Sequence, residues 1–429
     1  MKSILLTLIT VLVCFVSVIA QQPSMSTDEF NVPEYVVTDV LSGFNGDKIK
    51  TVKQWEKRRR PEILKFFRDQ VYGKVPGKLK ISDINVYEEH GVAMNGKAIR
   101  QQVDLLFKRK NKTLKIEVLI YLPVSEKKVP VFLGYNFFGN QSLCHDPNVR
   151  LTESWIRNNN SFGITNNKIT EQLRGAHDYR YPLDKIIESG YGIVTAFYGD
   201  VVPDNEKGAF NSCVLPFFYK KGQNHPKADE WGAISAWAWG LSKIMDYIES
   251  NQKIDSKKVI VWGHSRLGKT ALWAAANDKR FAMCISNDSG CMGASLSRRH
   301  FGENIAVINY SFPWWFDDNF KKYNEKESSL PVDQHMLLAT IAPRPLYVAS
   351  AEKDLRADPK GEFLSAKLAS SVYQLYGLNG IYVSKMPKID YPVFGVGVGY
   401  HIRSGGHNVT SFDWTQYILF ADKLLMKKE

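Results

Sequence analysis

Metal-binding signatures are missing from this chain. None of its cysteines sits in a C-x-x-C pair, and no histidine cluster has zinc-ligand spacing, so a metal site is not indicated. Internal repeats and low-complexity linkers are absent too, which argues against a repeat architecture. Long apolar runs are equally scarce. The one that exists, from Ile4 to Ile19, follows Met1-Lys2, precedes the small Ala20 and lacks a basic stop-transfer flank. It reads as a secretory signal peptide over residues 1–20 rather than an anchor. Val13, before Cys14, is too large for the small residue a lipoprotein cleavage site wants. The mature chain is therefore expected to be secreted or periplasmic, with no stable membrane anchor.

With Cys14 removed, Cys144, Cys213, Cys284 and Cys291 remain. In an oxidising compartment they allow two disulfides in three connectivities, and free buried thiols are the equal alternative. The formal net charge is +12, but the basic residues are scattered and carry no nucleic-acid signature. A solvated basic surface and attraction to an acidic polymer both fit that charge.

The 429 residues, 44% hydrophobic, can bury a large core. Residues 21–75 read as an N-terminal extension with one helix from Val52 to Val71. From residue 76 a catalytic domain is expected. Ala98–Phe107 and Leu114–Leu122 alternate as a hairpin, and Val129–Tyr135 is a run typical of a strand buried on both faces. Strands and helices then alternate. Strands are expected at Gly192–Phe197, Lys258–Trp262, Ala282–Ser286, Leu346–Ala351 and last at Gly380–Lys385. Helices are expected at Glu230–Ser250, Lys269–Asn277, Glu362–Tyr376 and Ser411–Lys427. That order predicts an α/β-hydrolase fold: a three-layer sandwich around a mostly parallel sheet.

The string Gly263-His264-Ser265-Arg266-Leu267-Gly268-Lys269-Thr270 satisfies two patterns. As G-x-x-x-x-G-K-T it is a phosphate loop. As strand, G-x-S, helix it is a nucleophile elbow that lifts Ser265 above a sheet. A phosphate loop normally follows the first strand of its domain, whereas several strands precede Gly263, and an exported protein rarely meets ATP. The elbow is the favoured reading.

A serine nucleophile needs a histidine base and an acid that orients it. Gly405-Gly406-His407, in a glycine-rich loop before the last helix, supplies the base, although His401 lies nearby. Asp354, at the end of the strand Leu346–Ala351, is the preferred acid, with Asp288 assisting or substituting. The elbow departs from G-x-S-x-G, since Leu267 holds the last glycine position and Gly268 comes one later. The backbone N–H of Arg266 would face the oxyanion and its guanidinium would add positive charge. A second donor is expected from the loop Asn136-Phe137-Phe138-Gly139-Asn140.

Together these segments resemble a known family. G-x-S-R-x-G-K at Gly263 to Lys269 is similar to the signature of glucuronoyl esterases, carbohydrate esterase family fifteen. The likeness extends to Gly134-Tyr135-Asn136-Phe137, Arg174-Gly175, Trp231-Gly232, Asn287-Asp288-Ser289-Gly290-Cys291, Phe301-Gly302-Glu303, Asp358-Pro359 and Gly405-Gly406-His407, in the manner of the bacterial branch. The resemblance implies a cofactor-free serine hydrolase acting on esters of 4-O-methyl-glucuronic acid, the bonds proposed to join xylan side groups to lignin. It implies Lys269 and Glu303 as ligands of sugar hydroxyls, and Arg356 where many relatives place a substrate-packing tryptophan. Where many relatives have glutamate, Asp288 is shorter, which favours Asp354 as principal acid. His264 replaces the cysteine of the fungal branch, so that disulfide is absent. A monomer acting on glucuronoxylan or a lignin–carbohydrate ester is expected. The alternatives are an acetyl xylan esterase of the same fold and a non-catalytic polysaccharide-binding relative.

Overall fold

A computed structural model describes residues 22–426, so the expected signal peptide lies outside the described residues. A single ten-stranded sheet runs through the molecule in the order β1-β2-β3-β5-β4-β6-β7-β8-β10-β9. The strands are β1 (Asp83–Ala93), β2 (Ala98–Arg109), β3 (Lys112–Pro123), β4 (Val129–Asn136), β5 (Gly192–Phe197), β6 (Ile254–His264), β7 (Met283–Asn287), β8 (Leu346–Ala351), β9 (Val393–Phe394) and β10 (Val398–Arg403). The first three are antiparallel, with β2 and β3 in register from Ala98↔Pro123 to Arg109↔Lys112. From β5 through β10 every neighbouring pair is parallel.

Alternation along β4 sorts its side chains between two apolar layers. Val131, Leu133 and Tyr135 face one, and Phe132 faces the other. Helices α1 (Arg60–Gln70), α2 (Ala233–Ile248), α3 (Arg266–Asn277) and α4 (Pro359–Leu375) contribute to the first layer. Helix α5 (Ser411–Leu425) and the short helix Leu183–Glu188 contribute to the second. Helix α2 is buried along almost its whole length, as expected of a helix apolar on nearly every side. Strand β4 lies between β5 and β6, so the chain leaves it in one direction and later returns on the other side. Ligand crevices of open α/β sheets form at such reversals, beyond the carboxyl ends of the strands.

The N-terminal segment is tied to this body. Trp55, Ile63 and Phe67 join the first apolar layer, and Arg60 donates to the carbonyls of Thr340 and Ala276 at 2.8 and 2.7 Å. Its helical stretch includes a π-helical turn at Trp55–Arg59.

One expected element is wrong. Gly380–Lys385 forms no strand, and Tyr382 is largely exposed. The place beside β8 belongs to β10, paired from Val398↔Leu346 to Arg403↔Ala351. Its sequence, Val-Gly-Tyr-His-Ile-Arg, reads as half polar because His401 and Arg403 face the second layer. Both are buried there because Asp413 on α5 accepts from them, at 2.9 Å from His401 Nε2 and 2.8 Å from Arg403 Nε. Such pairing is what permits buried charge. The four cysteines of the described residues are free thiols, so the disulfide alternative is not realised.

Candidate active site

Strand β6 ends at His264 and α3 begins at Arg266, leaving Ser265 as the single residue of the turn, at φ 58° and ψ −128°. Residues other than glycine rarely adopt this conformation, and holding one there costs about 1–3 kcal/mol. The surroundings enforce it. Ser265 N donates to Asn287 O on β7 at 2.9 Å. A Cβ on Gly263 would lie 2.0 Å from Leu267 O, and one on Gly268 would lie 2.9 Å from Ser289 Cβ. The displaced glycine of the sequence pattern thus has a packing reason: position 268 meets the turn after β7, while Leu267 is buried in the core. At the start of α3, Gly268 N and Lys269 N donate to Ser265 O at 2.9 and 3.2 Å, which leaves the amides of Arg266 and Leu267 available to an anion.

Above the elbow opens a cavity of about 330 Å³, lined by every site residue singled out from the sequence. A larger groove of about 890 Å³ lies under residues 73–81 but holds none of them, so volume does not mark the site. His407 stands at the cavity wall, partly exposed, with Nδ1 2.5 Å from Asp354 Oδ2. Asp354 follows β8 and is buried. Asp288 is engaged differently. Its Oδ2 accepts from Arg403 Nη2 and Asn408 N, both at 3.3 Å, and its Oδ1 has no partner. Burial pushes its carboxyl well above the usual carboxylate range, with Glu362 and Asp354 adding to the effect and Arg403 opposing it. Ligand atoms of Asp288, Asp354 and His407 lie within 4.8 Å of one another. The short contact within this group is the His407–Asp354 bond.

His264, beside the serine, lies against the His407 ring at a centroid distance of 4.4 Å. Its Nδ1 donates to Asn287 Oδ1 at 2.6 Å. Burial holds its pKa well below the ordinary histidine value, and His407 and Arg180 push the same way. Both effects disfavour the charged form of the His264 ring beside His407.

The cationic wall is more crowded than the sequence suggests. The Arg266 guanidinium hydrogen-bonds Asp204 and lies 4.8 Å from the Trp315 ring centroid. Burial lowers its pKa. Asp204 also accepts from Trp314 Nε1 at 2.9 Å, Trp315 Nε1 at 2.8 Å and Tyr198 Oη at 3.3 Å. One buried carboxylate thus orients the arginine and both tryptophans. Trp315 stacks on Phe312 at 3.8 Å, and the two give the cavity an aromatic side. Lys269 is buried and donates to Ser289 O at 2.6 Å, with Glu303 Oε2 at 3.8 Å. Burial lowers its pKa, and Glu303 opposes that. Arg356 lies at the exposed rim and hydrogen-bonds Glu303. Glu303 is therefore flanked by two cations. In the loop after β4, Asn136 turns inward to Asn140 and Thr195, while Phe137 packs toward His264 and Arg266.

Sequence reasoning missed Asp204, Trp315, Phe312 and Arg403. Asp204 sits in Val202-Pro203-Asp204-Asn205, where an aspartate reads as a turn residue. The aromatic pair reads as ordinary core.

The fold, with this cavity at the end of its elbow strand, defines the class: an α/β-hydrolase. The comparisons with known proteins narrow it. A carbohydrate esterase from an unknown prokaryotic organism is 47% identical over 410 residues, covering 94% of this chain and 93% of that protein. The structure of a promiscuous esterase of carbohydrate esterase family 15, from a marine bacterial metagenome, superposes with a TM-score of 0.86 at 47% identity, covering 93% of this chain and 99% of that one. The glucuronoyl esterase from Solibacter usitatus gives the same TM-score, 0.86, at 44% identity, covering 92% and 99%. A family model described as glucuronyl esterase, fungi, matches residues 189–377. The chain belongs to carbohydrate esterase family 15, the glucuronoyl esterases.

Proposed function

We propose that this protein hydrolyses esters of (4-O-methyl-)glucuronic acid, of the kind that would link glucuronoxylan to lignin alcohols, through a serine acyl-enzyme. The observation that carries the mechanism is the shared cavity of Ser265, in its strained elbow conformation, and the His407–Asp354 pair. Ser265 Oγ attacks the glucuronoyl carbonyl as His407 takes its proton. Asp354 holds the imidazole by Nδ1, which leaves Nε2 for the proton transfer, and stabilises the imidazolium. The oxyanion forms against the Arg266 amide at the start of α3, with the guanidinium adding positive charge. His407 then protonates the departing alcohol. Water, activated by the same histidine, releases free glucuronate and restores the serine.

Lys269 and Glu303 are assigned to the sugar hydroxyls, the lysine donating and the glutamate accepting. Arg356, paired with Glu303, is assigned to the rim of the sugar site, and Asp288 to support of the histidine loop. The cations at Arg266 and Lys269 favour a uronoyl over an acetyl substrate, because an acetyl pocket has no use for them. The identity of the bacterial relatives supports the same reading, as do fungal relatives such as the 4-O-methyl-glucuronoyl methylesterase of Podospora anserina, 37% identical over 129 residues, 27% of this chain and 26% of that protein. We take the mature chain to be exported and to act as a monomer. Among the described residues no helix is long and apolar enough to cross a membrane.

The test compares turnover of benzyl glucuronoate, benzyl galacturonoate and p-nitrophenyl acetate. Glucuronoate is expected to be strongly preferred, and a strong preference for the acetate would overturn the uronate assignment. Ser265→Ala is expected to lower kcat by about 10⁵-fold or more. Full turnover by that variant would overturn the mechanism.

A further inference from the structure

We infer that Arg403 is the positioning residue of the reaction, folding the 404–408 loop around its guanidinium so that His407 is presented to Ser265. The inference rests on the reading of His407 as general base.

The loop has little packing of its own. Gly405 lies at φ 94°, and a Cβ on Gly406 would meet nothing within 4 Å. Apolar contact therefore does not define where residue 407 points. Hydrogen bonds do: Asp390, Glu352 and Lys353 hold residues 404 and 405, and three carbonyls of the loop converge on one side chain. Arg403, at the end of β10, donates through Nη1 to Ser404 O at 2.9 Å and through Nη2 to Gly406 O at 3.1 Å. Nη2 also reaches Asn408 O and, at 3.3 Å, Asp288 Oδ2. Nε is anchored on Asp413 Oδ2 at 2.8 Å. The carbonyls of residues 404, 406 and 408 thus bracket His407 from inside, on a rigid planar fork that is 2% exposed.

The fork is itself fixed from behind. Asp413 is held by His401 Nε2 and by the Thr410 cap at the start of α5, and Asn287 Nδ2 approaches it at 3.2 Å. The arrangement runs unbroken from the elbow strand's neighbour, β7, to the histidine loop. Asp354 fixes the tilt of the imidazole and Arg403 fixes the backbone that carries it. Asp288 belongs to the same device: it accepts from Arg403 and from Asn408 N, which accounts for a buried carboxylate beside the histidine that makes no hydrogen bond to it. Lysine would keep the charge at 403 but cannot serve acceptors in several directions of one plane.

The experiment measures kcat and KM of Arg403→Lys and Arg403→Gln, each normalised to functional sites by active-site titration, on benzyl glucuronoate and p-nitrophenyl acetate. The glutamine variant avoids burying an ammonium without its partners. Arg60→Lys is the control, since Arg60 is another buried arginine that bonds only backbone carbonyls, away from the site. A displacement of the base by an ångström costs about 10²-fold. The expected result is a fall of about that size in kcat on both esters, KM within about threefold, and a weakened downfield proton resonance of the His407–Asp354 hydrogen bond. Arg60→Lys should lower stability and leave kcat per site unchanged. Wild-type kcat per site in either Arg403 variant would overturn the inference. So would failure of both variants to yield any folded protein, which would make the residue purely structural. Because the acetate reports on the base irrespective of the sugar site, a wrong substrate assignment would lower glucuronoate preference in every protein and leave this comparison readable.

Discussion

Residues 263–269 and residues 403–409 meet at the same cavity and are held there by different forces. The elbow is fixed by close packing: neither Gly263 nor Gly268 has room for a methyl group, and α3 is buried behind them. The histidine loop has open space around Gly406 and is fixed by charge-assisted hydrogen bonds to Arg403, Asp288 and Asp354. Packing tolerates little change of volume. A polar network tolerates volume and depends on every donor and acceptor being present. Ser265 is thus set by shape and His407 by charge.

The largest expected effect separates the two carboxylates of the polar half. Asp354→Asn should lower kcat/KM by about 10³–10⁴-fold, because the amide presents the wrong tautomer to His407. Asp288→Asn should cost less than about tenfold, since it touches the histidine only through the loop. Steady-state kinetics with both variants decide the matter, and the reverse order would exchange their roles.

Next comes Asp204, which ties the elbow's first side chain to the aromatic wall. Asp204→Asn leaves the Arg266 guanidinium without its counter-charge. We expect a loss of about 10²-fold in kcat/KM on a glucuronoyl ester, comparable to removing one aimed donor, and a smaller loss on p-nitrophenyl acetate. Equal losses on both would place Asp204 in folding alone.

Stability should break the comparison in the opposite direction. Gly263→Ala forces a Cβ to within 2.0 Å of the Leu267 carbonyl and should cost about 1–3 kcal/mol or more by urea unfolding. Gly406→Ala meets nothing and should stay within about 0.5 kcal/mol.

The last test concerns pH. Glu362 Oε1 accepts from Ser289 N and Gly290 N, at 2.8 and 2.9 Å, under the turn that packs on Gly268. Burial pushes its carboxyl up to about 8, with the nearby Asp354 adding to it. The folded state then holds a proton that the unfolded chain has lost. The resulting stabilisation is full below about pH 4.5 and is lost as pH rises through about 8. Glu362→Gln should flatten this dependence, seen as a smaller difference between unfolding free energies at about pH 5 and about pH 9. An unchanged slope would show that other groups carry it.

The two halves also differ in how far they could be read from the sequence. The strand–G-x-S–helix pattern, the strand order before it and the His407 loop carry local signals, since periodicity and glycine placement are properties of adjacent residues. Strand β10 was misplaced to Gly380–Lys385, because a strand bearing His401 and Arg403 reads as unfit for burial until Asp413 is seen beside it. Asp204 was overlooked for the same reason: its partners at 266, 314 and 315 are distant in sequence.

The amino-acid sequence by itself determined the α/β-hydrolase architecture and the strand–turn–helix at Ser265. Hydrophobic period and turn chemistry act over a few residues and need no partner to be recognised. Only the tertiary structure decided that His407 pairs with Asp354 and Asp288 with Arg403, that the four cysteines stay apart, and that Arg266 is held by a buried carboxylate. Those are choices among polar groups with equivalent chemistry, and within a buried site distance and desolvation alone distinguish them.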